Sequence, residues 1–94
     1  MRILMLNPNT TTAVTDRLLA AGRLAAAPAT TLVPVTAARG VPYIATRAEA
    51  QIGGAVVLEM LAEHHTSVDA AIIAAFGDPG LLGARELFDI PIVG

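Results

Sequence analysis

Two short stretches of this chain gather residue types able to hold a small polar ligand. The first, Asn7-Pro8-Asn9-Thr10, runs on into Thr11 and Thr12, so two amides and three hydroxyls follow directly on the apolar run Arg2-Ile3-Leu4-Met5-Leu6. The second, Phe76-Gly77-Asp78-Pro79-Gly80-Leu81, follows the apolar segment Val68 to Ala75, which only Asp69 interrupts. Asp78-Pro79 reads as the start of a helix, with aspartate as N-cap and proline at the first helical position. A strand turning straight into a helix brings backbone N–H groups and the positive helix end to one edge of a sheet. Such an edge is where open α/β sheets bind ligands. Two further side chains are candidates on type alone: Tyr43 as a substrate contact and Arg47 as a partner for a carboxylate.

Each candidate also has a purely structural role open to it. Asn, Pro and Thr are the residues of turns and caps, so Asn7 to Thr10 can be read as turn chemistry or as a binding motif. Tyr43 can be a packed loop residue, Asp78 a helix cap, and Arg47 a solvated first-turn residue. His64-His65 close a helix, where imidazole suits the negative dipole end; that places them at the edge opposite the strand C-termini.

The elements that position these residues follow from apolar periodicity. Arg2 to Leu6 is a first buried strand. A helix then runs to about Ala27, with Val14, Leu18, Ala21 and Ala25 on its inward stripe and Asn9 or a following threonine as N-cap. Thr30 to Val35, rich in β-branched residues, is a second strand, and Pro34 puts it at a sheet edge. After a loop through Gly40 and Pro42, Thr46-Arg47-Ala48-Glu49 has the form of a capping box. It opens a helix to about His64 that buries Ile52, Val56, Val57, Met60 and Leu61. The Val68–Ala75 strand, a helix from Pro79 to about Phe88, and a strand starting Pro91-Ile92-Val93 complete the order. Strand and helix alternate throughout, which predicts a parallel sheet with helices on both faces, a flavodoxin-like or Rossmann-like lobe.

Composition narrows the function classes. The chain has 94 residues, 54% of them hydrophobic and 15% charged, so disorder is not expected. Its apolar runs stay short of the roughly 20 residues of a membrane span, and its opening run is too brief for a signal peptide. A net charge of −2 with six scattered basic residues leaves no footprint for nucleic acid. Without cysteine the chain has no disulfide, no thiolate chemistry and no cysteine-held metal of its own. A cytoplasmic location is the default expectation. The fourth strand is reached only at the last residues, so the sequence reads as the first part, residues 1–94, of a larger protein. Self-association, as a homo-oligomer or through the sheet edge, is expected on the same ground.

Asn7-Pro8-Asn9-Thr10-Thr11, Pro42-Tyr43-Ile44 and Ala74-Ala75-Phe76-Gly77-Asp78-Pro79-Gly80-Leu81, in this order and spacing, resemble the aspartate/glutamate racemase superfamily, and within it the hydantoin and allantoin racemases. The resemblance spans the whole chain, and Phe-Gly-Asp-Pro-Gly-Leu is its most specific part. It implies two similar α/β lobes with the substrate, a small amino-acid-derived carboxylate or a hydantoin, held between them. It further implies catalysis without cofactor or metal by two cysteines, one on each face of the substrate Cα. Asn7, Pro8, Asn9, Thr10, Tyr43, Phe76, Gly77 and Asp78 are the substrate-binding positions it suggests.

Inverting a carbon stereocentre requires a proton to leave one face and another to arrive at the opposite one. Two acid/bases must therefore flank Cα, and donors must stabilise the enolate that develops. On the resemblance the first of the two cysteines falls at Ala75, and alanine cannot carry a proton. Three readings stay open: a one-sided reaction such as decarboxylation or elimination, as in the related one-cysteine arylmalonate decarboxylases; an engineered Cys→Ala exchange made to trap a ligand; or a domain that binds its ligand without turning it over.

Overall fold

The computed structural model describes all 94 residues. Its elements are β1 (Arg2–Asn7), α1 (Thr12–Ala25), β2 (Thr31–Thr36), α2 (Arg47–His64), a single 3₁₀ turn (His65–Ser67), β3 (Ala70–Ile73), α3 (Leu81–Leu87) and β4 (Ile92–Val93). All four strands run parallel in the order β2-β1-β3-β4. The α/β architecture expected from the alternation is the one found.

Period-two alternation divides the sheet between its two covers. Leu4 and Leu6 of β1, with Ala71 and Ile73 of β3, join one buried cluster with Val56, Val57, Met60 and Leu61 of α2 and Ala84 of α3. Met5 points the other way, to α1, where a Cβ on Gly22 would stand 2.9 Å from its sulfur and 2.9 Å from Leu32 Cδ1. Helices therefore cover both faces, the arrangement a parallel sheet needs. Leu4, Leu6, Leu61, Ile73, Val56 and Val57 are fully buried; each contributes on the order of 1.5–3 kcal/mol.

Several boundaries differ from the sequence reading. On α1, Ala21 and Ala25 are exposed, and the inward face runs through Val14, Thr15, Leu18, Leu19 and Gly22. An alanine-rich helix carries too little apolar contrast to fix its own rotation, and the closest approach to the sheet belongs to glycine. Ile52 of α2 is 44% exposed, whereas Val56, Val57, Met60 and Leu61 are buried as expected. The third strand is shorter than Val68–Ala75. Asp69 stands at its entrance, where it accepts a hydrogen bond from the Arg2 N–H at 2.7 Å and donates its own N–H to the Arg2 carbonyl at 2.8 Å. Pro34 lies in β2, the outermost strand, as its missing N–H requires. The capping box at Thr46 forms: its hydroxyl accepts from the Glu49 N–H at 3.1 Å. The Glu49 carboxylate reaches back one residue further than expected, to the Ala45 N–H at 3.0 Å.

Candidate functional site

Strand order alone singles out one place on the sheet. From β1 the chain moves outward to β2, then crosses back over β1 to β3, so the direction of winding reverses between β1 and β3. The loops leaving the C-terminal ends of those two neighbours diverge there and open a crevice. They are Pro8–Thr11 and Ala74–Gly80, the two stretches singled out by residue type. The two strands stay in register to their ends, Leu6 pairing with Ile73 and its carbonyl accepting the Ala74 N–H at 2.9 Å.

At the end of β1 the Asn7 side chain is fully buried. Its Oδ1 accepts from the Asn9 N–H at 3.1 Å, and its Nδ2 donates to Asn9 Oδ1 at 2.9 Å, to Thr15 Oγ1 at 2.9 Å and to the Thr11 carbonyl at 3.3 Å. Every polar atom of Asn7 is thus spent within the chain, so its part is to build the loop rather than to meet a ligand. Asn9 Oδ1 is occupied as well, accepting from Asn7 and from the Thr11 N–H at 2.9 Å. Neither Asn9 Nδ2 nor the Thr10 hydroxyl has a partner in the chain, and no buried side-chain nitrogen or oxygen goes unpaired. Both groups therefore face solvent at the crevice. Pro8 is fully buried beneath them.

The loop carrying Tyr43 is stitched to this one. The Thr10 N–H donates to the Val41 carbonyl at 3.0 Å, and the Thr11 hydroxyl donates to the Pro42 carbonyl at 2.6 Å. Tyr43 comes next and is 58% exposed, so it stands at the rim without serving the core.

Behind β3 the backbone departs from the expected strand-to-helix turn. Gly77 (φ 80°), Asp78 (φ 51°) and Gly80 (φ 76°) are all left-handed, and α3 begins only at Leu81, with Gly80 at its cap position and no side-chain cap. Asp78 is consequently not the N-cap. Its N–H closes a turn on the Ala75 carbonyl at 3.3 Å, and its carbonyl receives the Leu81 N–H at 3.2 Å. Its carboxylate packs against Gly94, where any Cβ would overlap it. Pro79 is buried and Gly80 rests on α2: a Cβ on Gly80 would stand 2.8 Å from the Gly54 carbonyl oxygen. Gly54 lets this turn lie directly on the helix, a Cβ there standing 3.3 Å from the Gly80 nitrogen, while Gly53 makes room for Ile44. Phe76 is fully exposed and adds nothing to the core. The N–H groups of Ala75, Phe76 and Gly77 donate to no group of the chain. Three successive free donors at the end of a strand are what an anionic or polarised oxygen requires.

Residues 7–10, 43 and 75–78 line neither of two hollows found elsewhere, about 360 Å³ at the start of β2 beside Arg23 and about 240 Å³ between β2 and α2 beside Arg39. Arg47 is exposed and has no ion-pair partner. His65 packs at a tilt against Phe88, ring centroids 4.9 Å apart and planes at 47°, at the far ends of α2 and α3 from the crevice. No three His, Asp or Glu side chains converge as metal ligands would, and no helix is long and apolar enough to cross a membrane. Sequence reasoning missed Thr15 and Thr36, whose hydroxyls lie 2.6 Å apart beneath Asn7. The available signal was a threonine among the inward positions of α1. It missed the free amides too, which no side-chain motif encodes.

A parallel sheet whose reversal point carries amide, hydroxyl and backbone donors defines an α/β lobe of the open-sheet class, in which ligands bind at this edge. The profile described as Asp/Glu/Hydantoin racemase matches residues 3–94. Among curated proteins, the hydantoin racemase of Paenarthrobacter aurescens is 35% identical over 96 residues, covering all of this chain and 41% of that protein. The hydantoin racemase of Pseudomonas sp. (strain NS671) is 38% identical over 95 residues, again across the whole chain and 38% of its own length. Among solved structures, allantoin racemase from Klebsiella pneumoniae superposes with a TM-score of 0.93 at 44% identity, covering all of this chain and 39% of the other. Allantoin racemase from Pseudomonas fluorescens gives 0.92 at 31% identity, with 99% and 40% covered. The chain belongs to the Asp/Glu/hydantoin racemase family. It spans about 40% of the length of these relatives.

Proposed function

We propose that this chain forms the substrate-binding lobe of a racemase-superfamily enzyme that acts at the Cα of a small amino-acid-derived carboxylate or a hydantoin. The observation that carries the reading is that Asn9 Nδ2, the Thr10 hydroxyl and the N–H groups of Ala75, Phe76 and Gly77, none with a partner in the chain, all lie on the two loops that leave the C-terminal ends of the paired strands β1 and β3. These are all donors. They suit the oxygens of a carboxylate, or the carbonyl next to Cα as it takes on enolate charge. Tyr43 and Phe76 offer exposed aromatic surface at the rim to the ligand's side chain. The relatives named hydantoin racemase and allantoin racemase support the substrate class.

In this reading Ala75 stands where the first proton-carrying side chain belongs, at the start of the row of free donors. With a methyl group there, the lobe binds and polarises but moves no proton itself. Chemistry at Cα is then one-sided, served by a single acid/base outside this chain, and two-sided inversion is not expected.

Deuterium exchange at C5 of L- and D-5-methylhydantoin in D₂O tests this on the protein at its full natural length. The natural protein is expected to bind both enantiomers and to exchange at most one of them above the buffer rate. A positioned acid/base is worth about a hundred- to ten-thousandfold, so Ala75→Cys should raise exchange of the other enantiomer by at least about tenfold. Rapid exchange of both enantiomers with Ala75 in place would overturn the role given to this position. No binding of hydantoins or amino-acid carboxylates would overturn the functional reading itself.

A further inference from the structure

We propose that Thr15 and Thr36 act as positioning residues, holding the Asn9 amide so that it presents its NH₂ to the ligand. The inference rests on the functional reading above and names the device that sets one of its donors. The Asn7 amide donates to Thr15 Oγ1, and Thr15 in turn lies 2.6 Å from Thr36 Oγ1. Either hydroxyl can donate to the other, and in both cases Thr15 Oγ1 keeps a lone pair for Asn7 while its position is held from the β2 side. Asn7, held at this end, clasps Asn9 at two points, through Asn9 N–H and Asn9 Oδ1.

The clasp decides which way the Asn9 amide faces. Its Oδ1 receives two donors, Asn7 Nδ2 and the Thr11 N–H. Turning the amide over would set an NH₂ against both of them and lose two hydrogen bonds at once, so the amide has one orientation. Nδ2 is left pointing away from the scaffold with both hydrogens unused. Thr15 is buried and so does not meet the ligand, and Thr36 is half-buried at the end of β2.

The test uses the full-length protein and reads the device in two ways. Thr15→Val keeps the shape and removes the hydroxyl, Thr15→Ser restores it, and Thr36→Val is a second, less buried way to break the same chain. In ¹⁵N relaxation the Asn9 side-chain amide should be ordered in the natural protein and in Thr15→Ser. It should fall below an order parameter of about 0.6, the flexible range, in Thr15→Val and Thr36→Val. Affinity for hydantoin should drop about three- to tenfold in the two valine variants, one hydrogen bond's worth. In an Asn9→Asp background, which has no NH₂ to present, Thr15→Val should weaken binding no further; a merely structural role for Thr15 would leave its effect intact there. An Asn9 amide equally ordered in Thr15→Val overturns the positioning role, whatever binds. An ordered amide in a natural protein that ignores hydantoin overturns the functional reading, and this inference with it.

Discussion

Glu49 closes the start of α2 from both directions, its N–H on the Thr46 hydroxyl and its carboxylate on the Ala45 N–H. The Ala45 N–H, and after it the Thr46 hydroxyl, hold the carboxyl below its ordinary value of 4.5. A carboxyl whose folded-state pKa is depressed adds stability that is present in full above the unfolded value. That stability is lost as pH falls through the lower folded one. Melting temperature should therefore decline on acidification from about pH 4.5, as this cap and the Arg39–Glu59 pair are protonated. Glu59 is held low in the same sense by its hydrogen bonds to Arg39. Glu49→Gln keeps an acceptor for the Ala45 N–H but no longer titrates. The variant should melt slightly below the parent at pH 7, having given up the carboxylate's contribution, and show a shallower decline between about pH 4.5 and about pH 3 as the two converge. The difference will be small, because the carboxyl is at the surface and screened. Thermal melts of both proteins across this range check it, and identical acid limbs would remove Glu49 from the account. This cap was legible in the sequence because its donors and acceptors lie within five residues. The role of Asn7 was not: nothing local distinguishes an asparagine that faces a ligand from one whose every atom is spent on Asn9, Thr11 and Thr15.

At the level of elements, the turn into α3 is set by its contact with α2 rather than by a cap. Gly80 has φ 76° and no room for a Cβ beside the Gly54 carbonyl. Gly83, one turn later, would place its Cβ 3.8 Å from Leu58 Cδ2, an ordinary contact. The two glycines should answer alanine with opposite signs. Gly80→Ala combines left-handed strain with a backbone clash and should cost about 2–3 kcal/mol. Gly83→Ala removes a helix-interior glycine and should stabilise by roughly 0.5–1 kcal/mol. Urea titrations of both variants measure this, and destabilisation by Gly83→Ala would show that α3 packs more tightly on α2 than described. Alternation of strand and helix was readable throughout, since burial on both faces leaves β1 and β3 as unbroken apolar runs. The start of α3 was misread because Asp78-Pro79 satisfies the local cap rule, while tertiary contact with Gly54 overrides it. The rotation of α1 escaped for a different reason: where half the stripe is alanine, position is decided by how closely Gly22 approaches Met5 and Leu32, which is a property of the packed pair.

Across the whole molecule, apolar surface is left uncovered where the crevice and the β4 side of the sheet meet solvent. Phe76 is fully exposed, Leu82 80%, Leu87 65% and Val93 49%. β4 is an outer strand of only two residues, pairing with β3 on one side and with nothing on the other. An open strand edge beside exposed leucines offers both backbone hydrogen bonds and apolar area to a neighbour. The relatives carry about two and a half times this length of chain, and in their structures this segment is a part of something larger. Taken alone at micromolar concentration, the 94-residue chain should therefore sediment above its own 9.6 kDa. Leu82→Glu together with Val93→Lys should shift the distribution toward that mass by placing charge on the exposed α3 surface and the strand edge. Sedimentation velocity on the parent and the double variant separates the outcomes. A parent that runs as a single 9.6 kDa species and melts cooperatively would mean that two-residue β4 closes the sheet adequately by itself. The exposed Phe76, Leu82 and Val93 would then be read with the crevice, as surface kept open for the ligand rather than for another stretch of protein.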